Sequence, residues 1–104
     1  MLTAACHCGA VRLEVARRPR QLTDCNCSIC RRYGSLWAYY TRKTARLQSP
    51  EDTVSRYVWG DGKIEFCFCK TCGCITHHER VEKTSDSMIG VNARMMEPGY
   101  LDED

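Results

Sequence analysis

Nine cysteines among 104 residues constrain this chain more than any other feature of its sequence. They fall into three tight groups, which are Cys6/Cys8, Cys25/Cys27/Cys30 and Cys67/Cys69/Cys72/Cys74. Cysteines spaced as C-x-C or C-x-x-C share one metal ion more readily than they form separate disulfide bridges. The odd count and an N-terminus without a basic-then-apolar leader pattern also argue against a secreted disulfide scaffold. The sequence therefore predicts reduced thiols that bind zinc.

The hydrophobic pattern predicts a single, mainly β domain over residues 1–104. The length permits one domain rather than two, and 43% apolar residues are typical of a folded protein. The segment "AVRLEVA" alternates apolar and charged side chains, as a half-buried strand does. Predicted strands cover Leu2–Ala5, Ala10–Ala16, Leu22–Cys25, Leu36–Thr41, Tyr57–Trp59, Ile64–Phe68, Ile75–Glu79 and Ser87–Ala93. This pattern suggests antiparallel sheets with metal-binding turns.

One short helix is expected between Ser28 and Gly34. Serine is a favoured N-cap residue, and glycine commonly follows the last residue of a helix. The turn "GDGK" is expected to join the two strands on either side of it as a hairpin.

Charge and hydropathy argue against two classes of partner. The net charge is +2 and no long basic run is present, which does not favour nucleic-acid binding. No segment approaches the ~20 consecutive apolar residues of a membrane-spanning helix. We therefore expect a cytoplasmic protein with no nucleic-acid or membrane partner, and the sequence leaves its oligomeric state open.

The simplest assembly of the cysteines gives two zinc sites of different kinds. One takes a pair from each end of the chain and forms a closed structural site with four thiolate ligands. Its ligands, here called the four-cysteine cluster, are Cys6, Cys8, Cys69 and Cys72. The other has three protein ligands and leaves a position open for water or a substrate thiol. Its ligands, here called the cysteine trio, are Cys25, Cys27 and Cys30.

A second structural zinc is the alternative for the cysteine trio, because small domains often hold two such ions. A fourth side chain would then close the site, and the candidates are His77, His78, Cys67 and Cys74. The sequence leaves the roles of these four residues open.

Three motifs resemble one known family. In order along the chain, "CHCGAVRLEV", "CNCSICRRYG" and "FCKTCGCITH" resemble the glutathione-dependent formaldehyde-activating enzyme family, which includes centromere protein V. The resemblance implies a β-tent of antiparallel sheets with zinc knuckles. It also implies that the four-cysteine cluster is the structural zinc site and that the cysteine trio holds a second zinc that faces the substrate. This chain is short for the family, and Cys67 and Cys74 are additional to its pattern.

The resemblance also implies a reaction, the addition of glutathione to formaldehyde by a carbon–sulfur lyase acting in reverse. We hypothesise that a small thiol, with glutathione as the candidate, binds at the cysteine trio and adds to a small aldehyde. Arg31 and Arg32 follow the trio directly and are the candidate partners for the carboxylates of glutathione. A solvent-exposed helix face is the alternative role for these arginines. A non-catalytic zinc-binding module or a glutathione carrier is the alternative function.

Overall fold

The structure, a computed structural model, describes residues 2–100 and consists of two antiparallel sheets. The strands are β1 Leu2–Ala5, β2 Arg12–Val15, β3 Trp37–Thr41, β4 Ala45–Leu47, β5 Val54–Val58, β6 Ile64–Cys69, β7 Ile75–Arg80 and β8 Met88–Asn92. One α-helix, α1 (Cys30–Tyr33), precedes β3. Short 3-10 turns cover Glu51–Thr53, Ala93–Met95 and Pro98–Tyr100.

The main core lies between the two sheets. The smaller sheet has the order β1-β2-β4, and the larger has the order β3-β8-β7-β6-β5. Leu13 and Val15 of the smaller sheet belong to the same buried apolar cluster as Ala38, Ile89 and Val91 of the larger one. Burial of the valine, leucine and isoleucine side chains stabilises the folded state by about 1.5–3 kcal/mol each. This core fixes one face of the larger sheet against the smaller sheet.

The opposite face of the larger sheet forms a second buried cluster with α1. Its members are Cys30, Trp37, Phe66 and Ile75. Because successive side chains of a strand point to opposite faces, Trp37 enters this cluster whereas Ala38 enters the main core. By the same alternation, Phe66 belongs to this cluster and Cys67 to the main core. The larger sheet therefore presents two chemically different faces.

The mainly β fold with antiparallel sheets and one short helix is confirmed. The expected hairpin around "GDGK" is confirmed as β5 paired with β6. The strand expected over Leu22–Cys25 is wrong, because only Thr23 forms a bridge there, with Trp37. Strand β4 was not expected, since its three residues give too short a pattern to recognise.

The expectation that Ser28 caps the helix is wrong, although the expected end at Gly34 is confirmed. The N-cap residue is Ile29, and the backbone N–H of Cys30 donates to Cys27 Sγ at 3.4 Å. A cysteine sulfur thus accepts the hydrogen bond that a serine hydroxyl would otherwise take. Gly34 adopts the left-handed conformation and its N–H donates to the Cys30 carbonyl. No helix within residues 2–100 has the length and apolar content to cross a membrane.

We expect the Gly90→Ala substitution to destabilise the domain. A Cβ atom at Gly90 would lie 2.2 Å from Nε2 of the buried His78, so the ring or the strand must shift. Overpacking of this kind costs about 1–3 kcal/mol. Urea denaturation should therefore show a lower free energy of unfolding. Gly99→Ala is the control, because a Cβ at Gly99 would meet no atom within 4 Å, and equal stability of the two variants would contradict the prediction.

Candidate metal centres

The structure brings the sulfurs of the four-cysteine cluster together. The four Sγ atoms lie within 4.8 Å of one another, with 3.7 Å between Cys6 and Cys8 and 3.6 Å between Cys8 and Cys69. A tetrahedral zinc with Zn–S bonds of ~2.3 Å would hold its sulfurs about 3.8 Å apart. A disulfide would need about 2.05 Å, and all nine cysteines are free. The spacing therefore fits a shared metal ion.

The first knuckle of this cluster is the turn between β1 and β2. The backbone N–H of Cys6 donates to the carbonyl of Val11 at 3.0 Å, and the N–H of Val11 donates to Cys6 Sγ at 3.3 Å. This reciprocal pair closes the turn and directs the Cys6 sulfur towards the sulfur of Cys8.

The second knuckle begins where β6 ends. Cys69 Sγ accepts hydrogen bonds from the backbone N–H groups of Thr71 and Cys72, at 3.3 and 3.4 Å. Gly73 closes the turn at a φ of 79°, a conformation that glycine adopts without strain. Backbone hydrogen bonds, from Cys74 first and from Cys8, lower the pKa of the Cys72 thiol to about 5. Because the thiolate is the metal-binding form, the local backbone favours metal binding at this knuckle.

The cysteine trio forms a separate cluster at the start of α1. Its three Sγ atoms lie within 4.8 Å of one another. The backbone N–H of Cys30 lowers the pKa of the Cys27 thiol to about 7. Burial raises the pKa of Cys30 to about 12, and its sulfur accepts a hydrogen bond from Trp37 Nε1 at 3.3 Å. Ionisation of the Cys30 thiol near pH 7 therefore requires a positive charge close to its sulfur, which a cation bound by the three sulfurs would supply.

No fourth ligand side chain joins the trio among residues 2–100. Here, no His, Asp, Glu or further Cys side chain of these residues has a ligand atom within 4.8 Å of all three sulfurs. The candidates for closing the site, His77, His78, Cys67 and Cys74, do not belong to this group. Within the described chain, the trio is therefore a three-sulfur site.

A cavity of about 400 Å³ opens beside the trio. Rings on the outer face of the larger sheet form its floor, with Trp37 and His78 in edge contact at 4.5 Å between centroids and Phe66 5.4 Å from His78. Tyr39 and Trp59 also line it. Burial lowers the pKa of His78 to about 4, so its imidazole is neutral at pH 7. The cavity is an aromatic pocket that reaches the three sulfurs.

Arg31 and Arg32 do not line this cavity. Both lie in the last turn of α1 and are exposed. The guanidinium of Arg32 donates to the Ser28 carbonyl at 2.7 Å. Arg32 lines a neighbouring cleft, which shares Ile29 and Trp59 with the cavity.

Sequence reasoning missed a third group of potential ligands on the inner face of the larger sheet. Cys67, His77 and Glu79 are buried with their ligand atoms within 4.8 Å of one another. Arg56 donates to Cys67 Sγ at 3.2 Å and to a carboxylate oxygen of Glu79 at 3.3 Å, and also pairs with Glu65. Burial raises the pKa of Cys67 to about 12 and lowers that of His77 to about 3. A protein cation is therefore already hydrogen-bonded to two of the three side chains of this group.

The register of β6 and β7 explains why this group could not be found by counting residues. Cys67 lies opposite His77, yet Phe68 lies opposite Ile75, so the pairing shifts by one residue between them. The alternation of "ITHHER" does place His77 and Glu79 on one face. Only the shift, which no sequence pattern reveals, aligns Cys67 with them.

Comparisons with known proteins extend beyond the cysteine motifs. The family model described as "Glutathione-dependent formaldehyde-activating enzyme" matches residues 1–104. A crystal structure of a Rhodobacter sphaeroides protein is similar over 98% of this chain and 96% of that chain, with 32% sequence identity and a TM-score of 0.81. The similarity thus includes the whole fold.

We expect Cys69→Ser and Cys67→Ser to have different effects on metal content. Loss of the Cys69 thiolate removes one of four ligands, so bound zinc should fall by at least about one ion per chain and the fold should be less stable. In the Cys67→Ser variant, the serine hydroxyl can still accept a hydrogen bond from Arg56, and both sulfur clusters are intact. Metal analysis of the purified variants measures the difference. An equal loss of zinc in both variants would contradict this assignment.

Proposed function

Because the chain belongs to the glutathione-dependent formaldehyde-activating enzyme family, we propose that it is a carbon–sulfur lyase-like protein that adds a small thiol to an aldehyde such as formaldehyde. The observation that carries this proposal is a cluster of three sulfurs beside an open cavity, without a fourth ligand side chain among residues 2–100. Glutathione is the candidate thiol that the family supplies.

Both sulfur clusters suit zinc, and we assign them different roles. The four-cysteine cluster has the donor set of a closed structural site. The cysteine trio has the donor set of a site with an open position, where zinc when bound would favour the ionised form of an incoming thiol.

The residues around the trio orient its sulfurs and exclude water. Trp37 Nε1 holds Cys30 Sγ by a hydrogen bond, and the backbone N–H of Cys30 holds Cys27 Sγ. Trp37 is fully buried and Phe66 nearly so. The floor of the cavity therefore consists of packed rings rather than polar groups that would hold water. Fewer waters then compete with the thiol and the aldehyde for the same space.

The proposed reaction is an addition without oxidation or reduction. A bond forms between the thiol sulfur and the aldehyde carbon, and the carbonyl π bond breaks. The proton that leaves the thiol ends on the former carbonyl oxygen, which gives a hemithioacetal. This addition proceeds without an enzyme, so the protein contributes chiefly by holding the two reactants together.

Arg31 and Arg32 are the proposed partners for the carboxylates of glutathione. Their exposed position on α1 leaves them accessible to a ligand. Arg32 is the better placed of the two, because the cleft that it lines adjoins the cavity at Trp59. A glutathione molecule with its sulfur at the trio would extend from the cavity into that cleft.

We expect Cys27→Ser to abolish thiol binding and catalysis together. The variant leaves two sulfurs at the trio, so bound zinc should fall by about one ion per chain. Calorimetry should then detect no glutathione binding, and formaldehyde consumption should proceed at the background rate. Cys67→Ser is the matched control, since it makes the same change outside both sulfur clusters.

Two outcomes would overturn this proposal. Unchanged metal content and thiol affinity in the Cys27→Ser variant would show that the trio is not the thiol site. Tight glutathione binding by the unaltered protein, with formaldehyde consumption at the background rate, would identify a carrier instead of an enzyme.

A further inference from the structure

The cavity beside the cysteine trio has an apolar lining. Besides the trio and the aromatic floor, it is lined by Ile64 and Met88. At its mouth, Tyr39, Trp59 and Met88 expose about two-fifths of their surface, at 40%, 42% and 42%. Exposed apolar side chains gathered around one opening are typical of a ligand-binding groove. The body of a thiol whose sulfur is at the trio would rest among these side chains.

The charge of the cavity is the second observation. Apart from the thiols, Asp61 is the one charged side chain among the described residues that line it. The imidazole of His78 is buried and neutral at pH 7. The lining therefore offers no cation to a carboxylate, and its one charged side chain, the exposed Asp61, has the same sign as a carboxylate.

Arginines are present nearby, but they line other clefts. Arg32 lies in the cleft on the far side of Trp59. Arg17, Arg18 and Arg20 lie in a cleft on the far side of Tyr39. A carboxylate would have to leave the cavity to reach any of them. The carboxylates of glutathione, which are several bonds from its sulfur, would lie outside the cavity, and its peptide groups would face a largely apolar lining. Burial of peptide groups without hydrogen bonds is costly, so the cavity itself favours a thiol with an apolar body.

We propose that the cavity selects a thiol with an apolar, ring-sized body and no carboxylate over glutathione. This inference rests on the proposed function, because it assumes that the sulfur of the ligand is placed at the cysteine trio. Phe66 and His78, which pack on the fully buried Trp37, would form the floor beneath the body of the ligand. The more exposed Tyr39 and Trp59 would contact it at the mouth.

Calorimetric titration of the zinc-loaded full-length protein with phenylmethanethiol and with glutathione tests the proposal. We expect phenylmethanethiol to bind at least about tenfold more tightly. Trp59→Ala should reduce this ratio, because it removes one wall of the cavity. Val58→Ala is the control, since Val58 is the preceding residue of the same hairpin, has a similar exposure, and lines neither this cavity nor the cleft of Arg32.

A second pair of variants tests the role of charge without removing a wall. Met88→Arg adds a cation at the mouth and should strengthen glutathione binding by about tenfold, whereas the neutral Met88→Gln should not. Zinc content, measured for every variant, verifies that the trio is intact.

The outcomes separate this inference from the proposed function. Glutathione binding as tightly as phenylmethanethiol, or tighter, would overturn the selectivity and leave thiol binding at the trio in place. Equal effects of Trp59→Ala and Val58→Ala would overturn the cavity as the place of the ligand body. Failure of both thiols to bind the zinc-loaded protein would overturn the proposed function and this inference together.

Discussion

The convergence of four sulfurs from distant parts of the chain is the constraint on which the remaining structure depends. Cys8 and Cys69 are separated by 61 positions in sequence and by 3.6 Å between their sulfur atoms. The pair unites the turn of the smaller sheet with the end of a central strand of the larger one. A structural zinc in such a cluster contributes on the order of 10 kcal/mol, which is comparable to the whole stability of a small domain. A chain of this length has a limited core, so this link helps to hold the two sheets as one unit.

The larger sheet then separates two kinds of chemistry by the alternation of its side chains. On the inner face, Arg56 is surrounded by Glu65, Glu79 and the Cys67 thiol, and burial keeps the thiol and the neighbouring imidazole neutral. Arg42 also pairs with Glu79, Lys83 with Glu65 and Glu51 with Arg56, so three cations face three carboxylates in this network. On the outer face, the sulfurs of the cysteine trio meet an aromatic cavity. Neighbouring residues of one strand, such as Phe66 and Cys67, thus serve different purposes.

Much of this arrangement could be predicted from the sequence, because it depends on spacing and alternation. The C-x-C and C-x-x-C groups indicated which cysteines would meet, and the alternation of Val11, Leu13 and Val15 indicated a half-buried strand. The remainder depends on tertiary contacts. The N-cap expected at Ser28 is wrong because Cys27 Sγ accepts the hydrogen bond that the backbone N–H of Cys30 donates. The proximity of Cys67 to His77 and Glu79 could not be predicted, because the pairing of β6 and β7 shifts by one residue. The cavity could not be predicted either, since its walls come from five separate segments of the chain.

The hairpin turn between β5 and β6 lies in no sulfur cluster, yet it supplies Trp59 and Asp61 to the cavity. Its five residues, 59–63, join β5 to β6, which pair from Val58 opposite Glu65 to Val54 opposite Cys69. Under the proposed function, this loop would contribute to ligand preference although it supplies none of the metal ligands. Relatives that keep every cysteine could then differ in the thiols they accept through changes in this one loop, so an unaltered set of cysteines would not imply an unaltered substrate.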